Sequence, residues 1–289
     1  MKIIDILKSD KVSFSCEVFP PKIGAELVRY KEIIDEIAEL NPAYMSVTCG
    51  AGGTTVGHAI DIAKEVQCVK GVTALAHLTC IASDRERIKN TLDELKTLGI
   101  ENILALRGDI PQGSDYVHSK DYMHASDLIK DIKSYGDFCV GGACYPEGHP
   151  KSASLEKDID NIKIKVDNGC DFLNTQMFFD NNILYSYMFH LLKKGVDVPV
   201  VAGIMPITNV KQAQNVAKLS GNFLPRKFVN IVEKFGNNPL AMKQAGIAYA
   251  TEQIIDLIAN GVKNIHLYTM NKPDIAATIM SNLSEIINK

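Results

Sequence analysis

Eight short β-rich runs, each followed by a stretch of helical spacing, constrain this chain more than any other feature. The runs are VSFSCEVF (12–19), AYMSVT (43–48), VTALAHLTC (72–80), NILALRG (102–108), FCVGGACYP (138–146), DFLNTQM (171–177), VPVVAGIMP (198–206) and NIHLYTM (264–270). Between them apolar residues recur every three or four positions, as in GAELVRYKEIIDEIAEL (24–40), which ends before Pro42. The same spacing predicts helices near 54–68, from an Asp84 cap to about 98, near 121–134, 154–168, 181–194, 208–219, 225–235 and 239–260, and from about 273 onward. Strands separated by helices imply a parallel sheet. Eight such units in 289 residues imply a closed α/β fold, the (β/α)8 TIM barrel, with extra helices before the eighth strand and one domain over 1–289. The alternative is an open, doubly wound sheet. Its dinucleotide fingerprint, Gly-x-Gly-x-x-Gly after the first strand, is missing; the glycine-rich CGAGGTT (49–55) follows the second.

Charge and cysteine usage exclude several function classes. The formal net charge is −3 and no strongly basic stretch occurs, so non-specific binding to nucleic acid has little electrostatic support. No apolar run approaches the roughly 20 residues of a membrane span. Asp5, Lys8, Asp10 and Lys11 interrupt any signal-peptide core, which makes a cytoplasmic protein the expectation. The seven cysteines include no Cys-x-x-Cys pair and sit mostly in strand-like runs, where they pack as small hydrophobes. Neither a disulfide framework nor a metal site is expected.

In a barrel of this kind the active site lies at the C-terminal ends of the strands. The residues there are Glu17; Thr48 with the glycine-rich turn; His77 and Thr79; Arg107, Gly108 and Asp109; Tyr145 and His149; Asn174 and Gln176; and Tyr268, Asn271 and Lys272. Each has a purely structural alternative: a hydrogen-bonded histidine, a surface pair of Arg107 with Asp109, or a plain turn at Gly50, Gly52 and Gly53. Their grouping at one end favours function. The set suits a large planar ligand with polar edges better than a small sugar phosphate. No strand carries an obvious Schiff-base lysine, which weighs against an aldolase.

Five blocks then occur in order: CEVFPPK (16–22), SVTCGAGG (46–53), ALRGD (105–109), CYPEGHP (144–150) and TQMFFD (175–180). Together they resemble the methylenetetrahydrofolate reductase family, from about residue 13 to residue 273. The resemblance implies an FAD-dependent barrel enzyme of one-carbon metabolism that reduces 5,10-methylenetetrahydrofolate to 5-methyltetrahydrofolate. NADH or NADPH reduces the flavin and leaves, and the folate takes its place. By position, Glu17 matches the general acid, and partial burial is expected to raise its pKa. Asp109 matches the aspartate at the flavin–folate junction. Gln176, and Gln212 in VKQAQ, match folate contacts, and Lys272 stands where a folate-contacting arginine is usual. The FAD positions are Thr48, Cys49, Gly50, Ala51, His77, Arg107, Gly108, Asp109, Ala125, Tyr145, His149, Asp158, Asn161 and Lys165. The last three share one helical face, and Arg107 and Lys165 carry charge suited to a pyrophosphate.

Departures from the family pattern accompany these matches. Cys49 stands where an aromatic residue is common, Ile164 where some members have arginine, and Val216 where a phenylalanine lies near the folate. The resemblance leaves two electron sources open: NAD(P)H directly, or a separate iron–sulfur partner subunit. A flavin- or folate-binding barrel without turnover is the non-enzymatic alternative, and retention of Glu17, Asp109 and Gln176 together weighs against it. The family also implies a homo-oligomer.

Overall fold

The computed structural model describes residues 1–20, 27–48, 56–109, 119–219 and 223–287. Its strands are β1 (Ser13–Val18), β2 (Met45–Val47), β3 (Ala74–Thr79), β4 (Asn102–Leu106), β5 (Cys139–Cys144), β6 (Phe172–Thr175), β7 (Val200–Ile204) and β8 (Asn264–Tyr268). Each pairs in parallel with the next, and β8 returns to pair with β1, so the sheet closes into the barrel that the alternation predicts. The open-sheet alternative is excluded by that closure.

Alternate strand residues serve two cores. One set, including Cys16, Val18, Met45, Val47, Leu78, Ile103, Ala105 and Leu267, packs outward against the helices. These helices are α2 (Leu27–Glu39), α3 (Val56–Lys64), α4 (Arg85–Thr97), α5 (Ala125–Tyr135), α6 (Leu155–Asp167), α7 (Asn181–Lys193), α8 (Val210–Leu219), α9 (Arg226–Phe235), α10 (Pro239–Ala259), α11 (Pro273–Asn282) and the short α12 (Ser284–Ile287). Leu75, Leu104, Cys139, Phe172 and Val201 form a second, separate cluster in the lower barrel interior. That cluster is closed by α1 (Ile3–Lys8), whose Ile3 and Leu7 lie one turn apart and are fully buried. Asn102 ties α1 down: its side-chain oxygen accepts from Ile3 N at 2.7 Å, and its amide donates to Met1 O at 3.0 Å. Periodicity does not predict α1, because six residues are too few to display a helical face.

Two predicted helices change at their ends. The one expected near 121–134 starts at Ala125, because Ser119 Oγ accepts from Asp121 N and Tyr122 N and holds those residues in a turn. Asp127 then accepts from His124 N at 2.9 Å and caps the helix. The one expected near 54–68 is α-helical only to Lys64 and continues as a π-helical turn, Glu65–Val69. Asp84 caps α4 as expected, accepting from Arg87 N at 2.8 Å. Five cysteines (Cys16, Cys80, Cys139, Cys144 and Cys170) are buried and free, and Cys68 is exposed on the π turn. Among the described residues no helix is long and apolar enough to cross a membrane.

The extra helices between β7 and β8 shape the barrel mouth. A Cβ on Gly246 of α10 would lie 1.9 Å from Ile207 O, so α10 presses backbone to backbone on the loop after β7. That contact bears on the position of Thr208 and Asn209, which immediately precede α8.

Candidate active site

Glu17 is the fifth residue of β1, and its side chain belongs to the inward set at the barrel mouth. Its Oε2 lies 3.8 Å from His266 Nε2 and 3.9 Å from His77 Nε2. These are ion-pair distances, too long for direct hydrogen bonds. His266 is fixed from behind. Ser15 Oγ lies 2.8 Å from its Nδ1, and the Ser15 hydroxyl donates to Ile265 O at 3.1 Å. Since that hydroxyl has a single hydrogen, Nδ1 of His266 must be the donor to Ser15, and the proton is assigned there. The Nε2 lone pair then faces Glu17 and the Ser46 hydroxyl, which is 3.3 Å away. Glu17 and His266 can therefore hold one further proton between them.

The expectation of a raised Glu17 pKa is not met in this arrangement. Burial pushes the carboxyl up, but the neighbouring His266 and His77 imidazoles and the Thr48 hydroxyl together outweigh burial and bring it below its ordinary value. His77 moves down as well: burial lowers its pKa from 6.5 to about 4, against the opposing pull of Glu17. At neutral pH Glu17 is thus an anion and His77 is neutral, which leaves His266 as its closest polar support. Both His77 ring nitrogens lack a hydrogen-bond partner among the described residues.

A buried neutral histidine has a stability signature. The unfolded chain takes up a proton on His77 near 6.5, whereas the folded chain resists until about 4. Stability from this group is therefore complete above that window and is lost as pH falls through it, by up to about 3 kcal/mol. Urea unfolding at pH 7 and pH 4.5 should show the loss in the wild type and a smaller one in His77→Gln. Equal losses in the two proteins would mean that His77 is not buried neutral.

A cavity of about 360 Å³ opens at the same end of the barrel, between the ends of β4 and β5, the first turn of α5 and one face of α6. It brings together nine of the expected residues: Arg107, Gly108, Asp109, Ala125, Tyr145, His149, Asp158, Asn161 and Lys165. Ser154 caps α6, accepting from Lys157 N at 3.1 Å, and so orients the face that carries the last three. Lys165 Nζ donates to Ala143 O at 2.7 Å, and burial lowers its pKa. The His149 pKa is lowered first by burial and then by the Arg107 and Lys165 cations, against the pull of Asp158. Tyr145 meets the His149 ring edge-on at 4.6 Å. Asp158 is largely spent on the protein: it accepts from His149 N at 3.2 Å and Ser152 Oγ at 3.1 Å, fastening the loop after β5. Gly108 turns the chain out of β4 with φ of +88°, where a side chain would also crowd Thr79 and Ile81 at 3.0 Å. Ile164 is half exposed and lines this cavity. The cation set and the N-terminus of α5 suit a phosphorylated ligand.

The remaining expected residues divide. Thr48 and His77 lie beside Glu17 and do not line the cavity. Cys49, Gly50 and Ala51 lie outside the described residues. Gln176 continues the β5–β6 ladder, donating from its N to Cys144 O at 2.7 Å, and its side-chain oxygen accepts from Met177 N. The Gln212 side-chain oxygen accepts from Thr208 N, Thr208 Oγ1 and Asn209 Nδ2 at 2.9–3.1 Å, capping α8. Lys272 Nζ reaches Thr208 Oγ1 at 3.4 Å, so Thr208 joins Gln212 to Lys272. Val216 is buried with Phe179, Ile207, Phe228 and Met242, so this position serves the core and does not face the mouth. Tyr268 is tied across the interior, its hydroxyl donating to Thr175 O at 2.7 Å. Gly203 makes room for that ring, since a Cβ there would lie 2.7 Å from it.

Sequence reasoning missed His266, Ser15, Ser46, Thr208, Lys151 and Ser152. A signal existed for the first three: each lies two residues before a chosen residue on the same strand face. None existed for Thr208, whose place depends on α10.

The methylenetetrahydrofolate reductase family profile matches residues 2–284. Methylenetetrahydrofolate reductase (NADH) 1 of Arabidopsis thaliana is 35% identical over 303 residues, covering 99% of this chain and 51% of the plant protein. The 5,10-methylenetetrahydrofolate reductase of Pectobacterium carotovorum is 33% identical over 273 residues, covering 94% of this chain and 90% of the bacterial protein. This chain therefore spans about half the length of the plant relative and most of the bacterial one. A Clostridium thermocellum protein that binds two copies of 5-methyl-5,6,7,8-tetrahydrofolic acid superposes with a TM-score of 0.61 over 95% of both chains, at 18% identity, which bears on fold alone. The profile over nearly the whole chain, with bacterial identity above 30% on both lengths, places this protein in the methylenetetrahydrofolate reductase family.

Proposed function

We propose that this chain is a cytoplasmic, self-associating reductase that converts 5,10-methylenetetrahydrofolate to 5-methyltetrahydrofolate, with FAD as its resident group. The observation that carries this reading is the inward carboxylate of Glu17 between two imidazoles, at the same barrel end as a cavity lined by Arg107, His149 and Lys165. The unpartnered ring nitrogens of His77 and the Lys165 ammonium, held by a backbone carbonyl, fit a flavin dinucleotide. FAD, when bound, supplies the capacity to accept and donate a hydride. Arg107, Lys165 and the start of α5 would hold its phosphates, and Tyr145 with His149 would form an aromatic wall.

Glu17 would protonate the departing nitrogen of the methylene bridge, which opens the bridge for hydride attack. A lowered pKa in the uncovered site is compatible with this role. With ligands bound, Glu17 would lose its contact with water, which would strengthen burial, the one effect that favours the protonated acid. His266 can share that proton through Nε2. Gln176, Gln212 and Lys272 would orient the folate, and Asp109 would bond its pterin.

NADH or NADPH is the expected donor, and the name of the Arabidopsis relative supports NADH. The other source is an iron–sulfur partner subunit. Anaerobic stopped-flow absorbance of the purified protein's flavin tests both. Bleaching by a nucleotide, then reoxidation by methylenetetrahydrofolate, is the result expected of a self-sufficient reductase. A flavin that only a chemical reductant or methyltetrahydrofolate bleaches would assign the electrons to a partner. A purified protein with no affinity for flavin would overturn the reading.

A further inference from the structure

The turn after β8 is strained, and it grips the strand that carries the acid. Met270 and Asn271 have φ of 54° and 52°. Two successive non-glycine residues in the left-handed region persist only where surrounding bonds over-determine them. Those bonds run to β1. The Asn271 side-chain oxygen accepts from Phe19 N at 3.1 Å, and its amide donates to Phe19 O at 2.9 Å. The Thr269 hydroxyl donates to Glu17 O at 2.6 Å and accepts from Asn271 N at 3.1 Å.

The β1–β8 register ends at Glu17 opposite Tyr268. Beyond that pair, side chains of the turn replace the backbone ladder and hold the chain on both sides of Val18. The next residue in the turn is Lys272, whose Nζ reaches Thr208. One four-residue segment thus holds the backbone of Glu17 and sets the root of Lys272. A relaxed turn would close the barrel equally well, since the ladder is complete without these bonds.

We infer that Asn271 is a positioning residue, which through the Met270–Asn271 turn holds the Glu17 acid and the Lys272 cation at the spacing that a folate requires. The inference rests on the reduction proposed above. Both ends of the Asn271 side-chain amide are engaged by the Phe19 backbone, so it would act through Phe19 and the Glu17 backbone. Its loss should therefore affect folate chemistry and folate affinity together and spare the flavin.

Two variants test this. Asn271→Gly keeps a left-handed backbone with less strain and deletes both bonds to Phe19. Thr269→Val deletes the hydroxyl at nearly constant shape. Each holoenzyme is reduced with dithionite and mixed with methylenetetrahydrofolate, and its affinity for 5-methyltetrahydrofolate is titrated through the flavin spectrum. Flavin content and thermal midpoint should stay near wild type, reoxidation should slow about tenfold or more, and methyltetrahydrofolate should bind more weakly. Wild-type reoxidation in Asn271→Gly would overturn the inference. So would a loss of flavin and thermal stability in step with the folate rate in both variants, since that pattern marks a merely structural clamp. A wild-type flavin that folate cannot reoxidise would instead overturn the underlying reading of function.

Discussion

Glu17→Gln is expected to slow folate-dependent reoxidation of the flavin by about 100- to 10,000-fold, the range for loss of a positioned general acid. Glutamine keeps the shape and hydrogen-bonding reach of the side chain but carries no transferable proton. Flavin content should be unchanged, because Glu17 does not line the cavity between β4, β5 and α6. Reduction of the flavin by its donor should also proceed at the normal rate, since that step needs no proton on the folate. The substitution also removes the carboxylate that faces His266 Nε2 and His77 Nε2 at 3.8 and 3.9 Å. Glu17 is among the influences that raise the His77 pKa, so that pKa should fall further. Single-turnover reoxidation across pH separates these effects. If Glu17→Gln reoxidises at the wild-type rate, the proton comes from another group and the assignment fails.

Lys165→Met is expected to weaken flavin binding by about 10- to 100-fold, the usual cost of losing a charge-assisted hydrogen bond. Methionine retains most of the volume, and the position already packs its stem near Gly142, 3.6 Å from where a Cβ would stand there. Burial lowers the Lys165 pKa, so the ammonium is held at a cost that an anionic ligand would offset. The protein itself should not suffer, since removal of a half-buried cation relieves desolvation. Equilibrium dialysis of the flavin together with a thermal melt distinguishes the outcomes. Unchanged flavin affinity with a lower melting temperature would make Lys165 a support for β5 through Ala143 O and nothing more.

Much of this architecture is written locally. The alternation of inward and outward residues in VSFSCEVF, VTALAHLTC and NIHLYTM follows from a strand's period of two, so the faces of β1, β3 and β8 were legible from the chain itself. The Asp158, Asn161 and Lys165 spacing follows from the helical period in the same way, and all three line one cavity. Other expectations depended on neighbours that periodicity does not report. Val216 stands where the family resemblance implies a residue near the folate, yet Phe179 and Phe228 enclose it. Asp158 has the position of a ligand contact, yet its oxygens are taken by His149 N and Ser152 Oγ. The six residues of α1 are too short to announce a face, and only the barrel floor beneath Ile3 and Leu7 makes them a helix worth forming.

By itself the sequence determined the eight-unit barrel, the end at which polar side chains gather and the presence of the Glu17 carboxylate among them, because each of these depends on residues close together in the chain. Only the tertiary structure decided the state of that carboxylate. Closure of the barrel sets β8 against β1, so that Ser15 meets His266 across 251 residues of sequence and Phe19 meets Asn271 across 252. A carboxyl's proton affinity is the balance of lost water against nearby charge and hydrogen bonds. Here those partners arrive from strands at opposite ends of the chain.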